Sequence, residues 1–437
     1  MSKLQPYPKY KPIAYDYVSQ LPEGWELLPN IAIFQERKEK GGLEMDSLSV
    51  SAIKGIVKMA DYEDRKDRTS DDKSEYLIVR CGDIPYNTML MWAGAVGRSE
   101  YEGIVSPAYT VLKPKMEINT KYFHYMFRTA FYTNYSKRFS YGIVDSRLRL
   151  YYTYFKRMYS IVPPLAEQNA IVAFLDQKTE QIQNFITKKQ KLIQLLEEKK
   201  RAVINKAITQ GIDKNIEYKE TNIGLIPKTW KIKRLGVLGN FYKGGNISRQ
   251  ELTTSFASDN DVSAILYGDI YTKYNIEAID IVNKISKETS KKSVRLEKGD
   301  LLFTGSGETK EDIGKCVLFN SDLETFAGGD VIIFKQKKVD ALFLSYSQNS
   351  DLARHQKTLS AKGEIIIHTY GSSLRNVYMP FPPSIEEQKK ICQFIKNECS
   401  KIDHSISIAQ LEIEKLKEYQ ESLITQVVTG QLQVPVA

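Results

Sequence analysis

Two stretches of the chain carry a long helical alternation of apolar and polar positions, in matching order. From Pro163 to about Ile208 the apolar residues fall at Ile171, Phe174, Leu175, Ile182, Ile186, Ile193, Leu196, Val203 and Ala207, the three-and-four spacing of one helix face. From Pro382 to Val428 they fall at Ile391, Phe394, Ile395, Ile402, Ile406, Ile413, Leu416, Leu423 and Val427. The copies align without gaps after their opening prolines: Gln168 on Gln388, Ile171 on Ile391, Ile182 on Ile402, Ile204 on Ile424. Such self-similarity marks a duplicated chain. Each stretch follows a Pro-Pro pair, and neither meets a proline or glycine before Gly211 or Gly430. In the second copy Ser384, with Glu387 three residues on, has the capping-box pattern. About 44 residues at 1.5 Å each make a rod of about 65 Å. A rod with one apolar stripe needs a partner, and the chain holds a second of equal length. The pattern therefore predicts a two-helix antiparallel coiled coil, the alternative being two core helices of separate domains.

Between the rods the texture changes to short β-rich runs broken by glycine. Leu21 to Trp25 (LPEGW) is echoed by Ile226 to Trp230 (IPKTW), so the duplication covers whole domains. Tyr76 to Pro114 reads as several strands with tight turns, and Gly82-Asp83-Ile84 matches Gly299-Asp300-Leu301 as Gly97-Arg98 matches Gly314-Lys315. Thr120 to Phe139 and Asp340 to Leu359 read as helices, which makes each unit α+β. The predicted order is an extended arm (1–20), a globular unit (21–162), a long helix (163–211), a linker (212–225), a second globular unit (226–381), a second long helix (382–430) and a tail (431–437). The fold class is α+β, with two globular domains separated by two long antiparallel coiled-coil helices in an internal pseudo-twofold duplication.

Composition narrows the partners. The formal net charge is +9, which favours a polyanion. Cys81, Cys316, Cys392 and Cys399 show no CxxC pair and read as reduced, small apolar side chains of a cytoplasmic protein rather than a disulfide frame or zinc site. No run approaches the roughly 18 apolar residues of a membrane span, and the start has no apolar signal core.

For catalysis the residues offer little. The Pro-Pro pairs follow Val162 and Phe381, so they lack the polar residue of an amino-methyltransferase turn. Gly305 to Lys315 is glycine-rich, but a phosphate loop ending at Lys315 needs glycine where Thr309 stands. Glu197 and Lys199 read as solvated helix charges, and His124, His355, His368 and His404 have no metal or triad spacing. We expect no catalytic residue and no metal ligand.

Nucleic-acid contacts have stronger candidates. Tyr141 to Arg157 sets Arg147, Arg149, Lys156 and Arg157 among four tyrosines, including Tyr141. Guanidinium groups pair with guanine edges or clamp phosphates, and tyrosines add hydrogen bonds and stacking. The counterpart from Ile365 to Tyr378 offers His368, Ser372, Ser373 and Arg375. Unmatched loops add Arg65, Lys66 and Arg68 in the first unit, and Lys243, Asn246, Arg249, Lys291 and Lys292 in the second. Arg98 and Lys310 complete the set. Two units with one skeleton and different loops read as two readers of different ligands, the alternative being drift in unconstrained loops.

GDIPYNTMLMWAGAVG, SPAYTVLKP, YGIVDSRLRL with its basic aromatic run, PPLAEQ opening a long helix, and a second half rebuilt to the same plan together resemble the specificity subunit of type I restriction-modification systems. The resemblance spans nearly the whole chain, though the second unit departs most, with FTGSGETKEDIGK where the first has YNTMLMWAGAVG. It implies that each globular unit is a target-recognition domain reading one half of a split double-stranded DNA sequence for phage defence. It implies two adenine methyltransferase subunits and restriction/translocase subunits as partners. S-adenosylmethionine, ATP and magnesium are then expected on those partners, with no cofactor bound by this chain. The rival readings are an autonomous DNA-binding protein with two α+β readers and no methylase partner, and a self-contained enzyme.

Overall fold

Leu165–Gln210 is a single helix of 46 residues and Ile385–Val428 a single helix of 44. Each ends on a glycine in the left-handed region, Gly211 at φ 77° and Gly430 at φ 74°, where a side chain would be strained. The computed structural model describes residues 4–41, 44–61, 73–142, 144, 147–213, 215–253, 261–364 and 366–435. Its contacts divide it into two compact units, Met1–Gln190 with Gln410–Ala437, and Lys191–Ala409. Each unit thus owns one head and a half of both long helices, a division that crosses the helices instead of separating heads from rods.

In the first unit the central sheet has three antiparallel strands in the order Phe34–Arg37, Tyr109–Pro114, Ile84–Asn87. Arg37 in the edge strand pairs with buried Asp83, Nε at 2.7 Å and Nη2 at 3.0 Å. Behind the sheet lies an aromatic core of Phe34, Tyr86, Phe123, Phe127, Tyr132 and Phe155, which runs without a break into Ile171 and Leu175 of the first long helix and Leu423 and Val427 of the second. In the same unit Lys189 and Glu412 form an ion pair at 2.6 Å. The early turns of one helix therefore meet the end of the other, which is the antiparallel arrangement expected. Ile182, Ile186 and Ile413 of the expected stripe are buried.

The second unit has a five-stranded sheet ordered Gly239–Lys243, Val331–Gln336, Leu301–Thr304, Cys316–Phe319, Glu277–Ala278, antiparallel except for its last pair. A four-stranded sheet ordered Asn283–Ile285, Val262–Ile265, Thr325–Ala327, Val294–Arg295 lies beside it in sequence. The core joins Trp230, Phe303, Phe334, Phe343 and Phe381 to Ile391 and Ile395 of the second long helix and Ala207 and Ile208 of the first. Lys200 and Asp403 pair at 2.7 Å. Cys316, Cys392 and Cys399 are buried free thiols, whereas Cys81 is exposed. Among the described residues no helix is long and apolar enough to cross a membrane.

The echoed tryptophans explain how each head is fastened. Trp25 donates its indole N–H to Glu167 at 3.0 Å, and Trp230 to Glu387 at 2.8 Å, each glutamate lying in the first turn of a long helix. The following glutamines do matching work. Gln168 accepts from the backbone N–H of Asn119 and Gln388 from that of Asp340, each the N-cap residue of a head helix, both at 2.9 Å. The capping box at Ser384 is consequently half formed. Its hydroxyl accepts from the Glu387 N–H at 3.1 Å, but the Glu387 carboxylate has gone to Trp230.

Three further expectations change. Among the described residues of the expected arm, 4–20, the chain is not extended and free, because Tyr10–Tyr15 and Val18–Pro22 pair as an antiparallel hairpin and Gln5 bridges Gln433. Tyr10 also donates to the carbonyl of Gly430 at 3.0 Å, which ties the hairpin down. Each head helix is broken in two: Thr120–Arg128 and Ala130–Arg138 at Thr129, Ala341–Asn349 and Asp351–Ser360 at Ser350. Thr129 and Ser350 are N-caps whose hydroxyls accept from the next helix, and they hold extended φ, ψ. Phe394, placed in the apolar stripe by periodicity, is 38% exposed.

Candidate nucleic-acid interface

Both units build the same glycine-hinged loop from unlike sequence. In the first, Tyr141 and Arg149 form an antiparallel bridge, each N–H donating to the other's carbonyl at 2.9 Å. In the second, Lys362 and His368 form the matching bridge, at 3.0 and 2.7 Å. Gly142 (φ 155°) and Gly363 (φ 111°) follow the first residue of each bridge, and a Cβ there would come within 2.7 Å of the Arg147 carbonyl oxygen or 2.1 Å of the Ile366 one. The residue after each bridge anchors the loop to its head: Leu150 N–H donates to Thr88 at 2.8 Å, and Thr369 N–H to Gly305 at 2.9 Å.

The loop of the first unit then presents its basic residues by alternation. Leu148 and Leu150 are buried while Arg147 and Arg149 point outward, both exposed and without an ion pair among the described residues. Tyr141 is 73% exposed. These three candidates share one loop. Arg98 does not join them. Its Nε donates to Thr120 at 3.1 Å, its Nη1 pairs with Glu100, and its backbone N–H donates to His124, so it serves the head's interior. Lys315, its counterpart, likewise spends its ammonium on the carbonyls of Tyr271 and Tyr274. Arg65, Lys66 and Arg68 lie outside the described residues.

In the second unit a cleft of about 400 Å³ gathers Lys243, His368, Ser372 and Arg375. Ser373 stands in the short helix Gly371–Leu374 at its margin. Asn246 is held near Lys292, its N–H on that residue's carbonyl at 3.0 Å. Lys291 is paired with Glu288 at 2.7 Å and Lys292 with Glu251 at 4.0 Å, while Arg249 is exposed in a one-turn helix. Lys310 sits apart, beside Thr358, whose hydroxyl donates to its carbonyl at 2.9 Å. Sequence reasoning missed Lys362, exposed at the base of its loop. The signal was available, since Lys362-Gly363 occupies the place of Tyr141-Gly142.

A serine, a histidine and an aspartate meet in this cleft, but not as a hydrolase uses them. Ser306 Oγ lies between Asp330 Oδ2 at 3.2 Å and His368 Nδ1 at 3.0 Å. In a nucleophilic triad the imidazole lies between hydroxyl and carboxylate, so that it can take the hydroxyl proton. Here the carboxylate itself holds that proton's hydrogen bond.

Both units thus combine an α+β head with a loop that leaves basic side chains exposed and unpaired among the described residues. Residues 227–417 match the family model of the type I restriction modification DNA specificity domain. The chain is 24% identical over 372 residues to the type I restriction enzyme MjaVIII specificity subunit of Methanocaldococcus jannaschii, covering 82% of this chain and 81% of that one. It is 23% identical to the putative type I restriction enzyme MjaX specificity subunit of the same organism, covering 95% and 96%. Among solved structures, a chain from work on complex assembly and conformational transition of the type I R-M system superposes with a TM-score of 0.69 at 15% identity, covering 94% of this chain and 99% of that one. The HsdS subunit from Thermoanaerobacter tengcongensis superposes with a TM-score of 0.54 at 14% identity, covering 94% and 98%, and so shares the fold. Residues 227–417 thus match a specificity-domain model, and over most of its length the chain is similar to type I restriction enzyme specificity subunits.

Proposed function

We propose that each unit reads one half of a bipartite DNA target, that the long helices set the distance between the halves, and that they dock two adenine methyltransferase subunits. The observation that carries this reading is the pair of glycine-hinged loops. One backbone design is built twice, with Tyr141, Arg147 and Arg149 exposed in one copy, and with Lys362 exposed and His368 half-buried in the other. A shared scaffold with different polar side chains is what two readers of unlike sequences need.

Docking is supported by apolar side chains left uncovered at helical spacing on the rods. These are Phe185, Leu411 and Tyr419 in the first unit and Leu192, Leu195 and Ile408 in the second, between 41% and 58% exposed. They weigh against an autonomous DNA-binding protein, which has no use for them. On this reading the chain is non-catalytic, restriction/translocase subunits join the assembly, and S-adenosylmethionine, ATP and magnesium are held by the partners. The working compartment is the cytoplasm.

Mapping methylated adenines in the source genome, before and after deletion of this chain's gene, tests the reading. A split motif that vanishes on deletion is expected, and an unchanged map refutes it. Inserting one helical turn into both long helices, near Thr187 and Ser407, adds about 5.4 Å to each, or about one or two base pairs of duplex. The expected outcome is a longer unread gap between unaltered half-sites, and an unchanged gap removes the ruler.

A further inference from the structure

The cleft of the second unit is built from three segments stitched by their backbones. Gly305 N–H donates to the carbonyl of Asp330 at 2.7 Å, and Thr369 N–H to the carbonyl of Gly305 at 2.9 Å. Ser306 and His368 face each other as register partners of a two-stranded ladder. Asp330 holds φ 59°, one of two non-glycine residues at positive φ among the described residues. An L-residue there costs about 1 kcal/mol, least for aspartate and asparagine. The strain places the Asp330 carboxylate against Ser306. Thr369 is 2% exposed, lines the same cleft, and its hydroxyl has no hydrogen-bond partner.

Proton placement along the Asp330, Ser306, His368 chain follows from the donor inventory. An ionised carboxylate only accepts, so the Ser306 hydroxyl donates to Asp330 and its lone pair accepts from His368 Nδ1–H. In the neutral tautomer that carries its proton on Nδ1, Nε2 is an acceptor. Asp330 Oδ1, which has no hydrogen-bond partner among the described residues, is an acceptor too. The chain therefore offers the cleft two acceptors and no donor. Lys243 and Arg375, exposed on the cleft wall without ion pairs among the described residues, supply positive charge beside it.

We propose that this cleft is a base-reading site for an exocyclic amino group, that of cytosine or adenine in the major groove, accepted by Asp330 and His368 while Lys243 and Arg375 hold flanking phosphates. Of the base edges there, only cytosine N4 and adenine N6 donate. The inference rests on the reading of DNA by this unit and adds the kind of base it selects.

The test is selection of bound duplexes from a pool randomised in both half-sites, using the full chain as wild type, Asp330→Asn, His368→Ala and the pair Lys243→Ala with Arg375→Ala. Asparagine tolerates the left-handed backbone, so Asp330→Asn keeps the loop, and the half-site of the first unit serves as an internal control of folding. Wild type is expected to select cytosine or adenine at one position of the second half-site. Asp330→Asn and His368→Ala are expected to lower that preference by about tenfold at that position alone. The double lysine and arginine variant is expected to weaken all duplexes alike and to reduce the salt slope by about one per lost phosphate contact. If wild type selects a motif and both Asp330→Asn and His368→Ala select the same one, the inference is overturned and the DNA reading stands. If wild type selects no motif in the second half-site, both fall.

Discussion

Replacing Arg147 and Arg149 by alanine separates DNA contact from fold stability, because the structure gives these side chains nothing else to do. Both stand exposed between the buried Leu148 and Leu150 and have no carboxylate partner among the described residues. Truncating them therefore leaves the core and the loop's backbone bonds intact, and unfolding free energy should move by no more than about 0.5 kcal/mol. On DNA the loss is larger. An arginine that reads a guanine edge contributes about 1–3 kcal/mol, or roughly 5- to 150-fold in affinity for the cognate half-site. One that only clamps phosphate weakens every sequence equally and lowers the salt slope by about 0.9. Arg98→Ala is the matched control, since its guanidinium is engaged by Thr120 and Glu100. It should cost stability and leave sequence preference unaltered. Anisotropy titrations against target and scrambled duplexes over a salt series, paired with urea melts, read all of these quantities. Wild-type affinity and slope in both arginine variants would show that this loop does not touch DNA.

Other outcomes follow from particular contacts. Glu387→Ala strands the buried Trp230 N–H, and the expected loss is about 1–3 kcal/mol in a urea melt, with a smaller loss in Glu387→Gln, which keeps an acceptor. Gly142→Ala drives a Cβ against the Arg147 carbonyl, so methylation mapping should show loss of the first half-site's selectivity while Gly363→Ala affects the second. His124 has its pKa pushed down to about 3 by burial and then by the Arg128 charge. Below about pH 6.5 the unfolded chain takes up a proton that the folded chain refuses, so stability is complete above that pH and falls as pH drops. His124 is only half-buried as a residue. The loss between pH 7 and 5 should therefore be about 1 kcal/mol rather than the full ~2, and a His124→Gln variant should flatten it.

Much of the architecture was legible because its signals are local or repeated. The three-and-four spacing of Ile171, Leu175, Ile182 and Ile186, and its return at Ile391, Ile395 and Ile402, needs only a helix's own geometry to be read. Gly82-Asp83 and Gly299-Asp300 announced a shared turn, and the structure shows why. Each glycine has positive φ, and each aspartate accepts from the N–H three residues before it, Arg80 at 2.8 Å and Glu297 at 2.9 Å. The basic aromatic loop of the first unit was visible too, as composition.

What lay beyond sequence was the choice among partners of equal chemistry. Arg98 and Arg149 are the same residue type in similar basic surroundings. Only folding sends the first inward to Thr120 and leaves the second on a hinge in water. Glu387 looked like half of a capping box until Trp230, distant in sequence, claimed its carboxylate. Ser306, Asp330 and His368 have no common spacing, and strand register alone brings them together. Periodicity and duplication are properties of neighbours along the chain, so the sequence by itself determined the helices, the repeat and the turns. Which polar groups stay free for a ligand depends on long-range contacts that consume the others, and that only the tertiary structure decided.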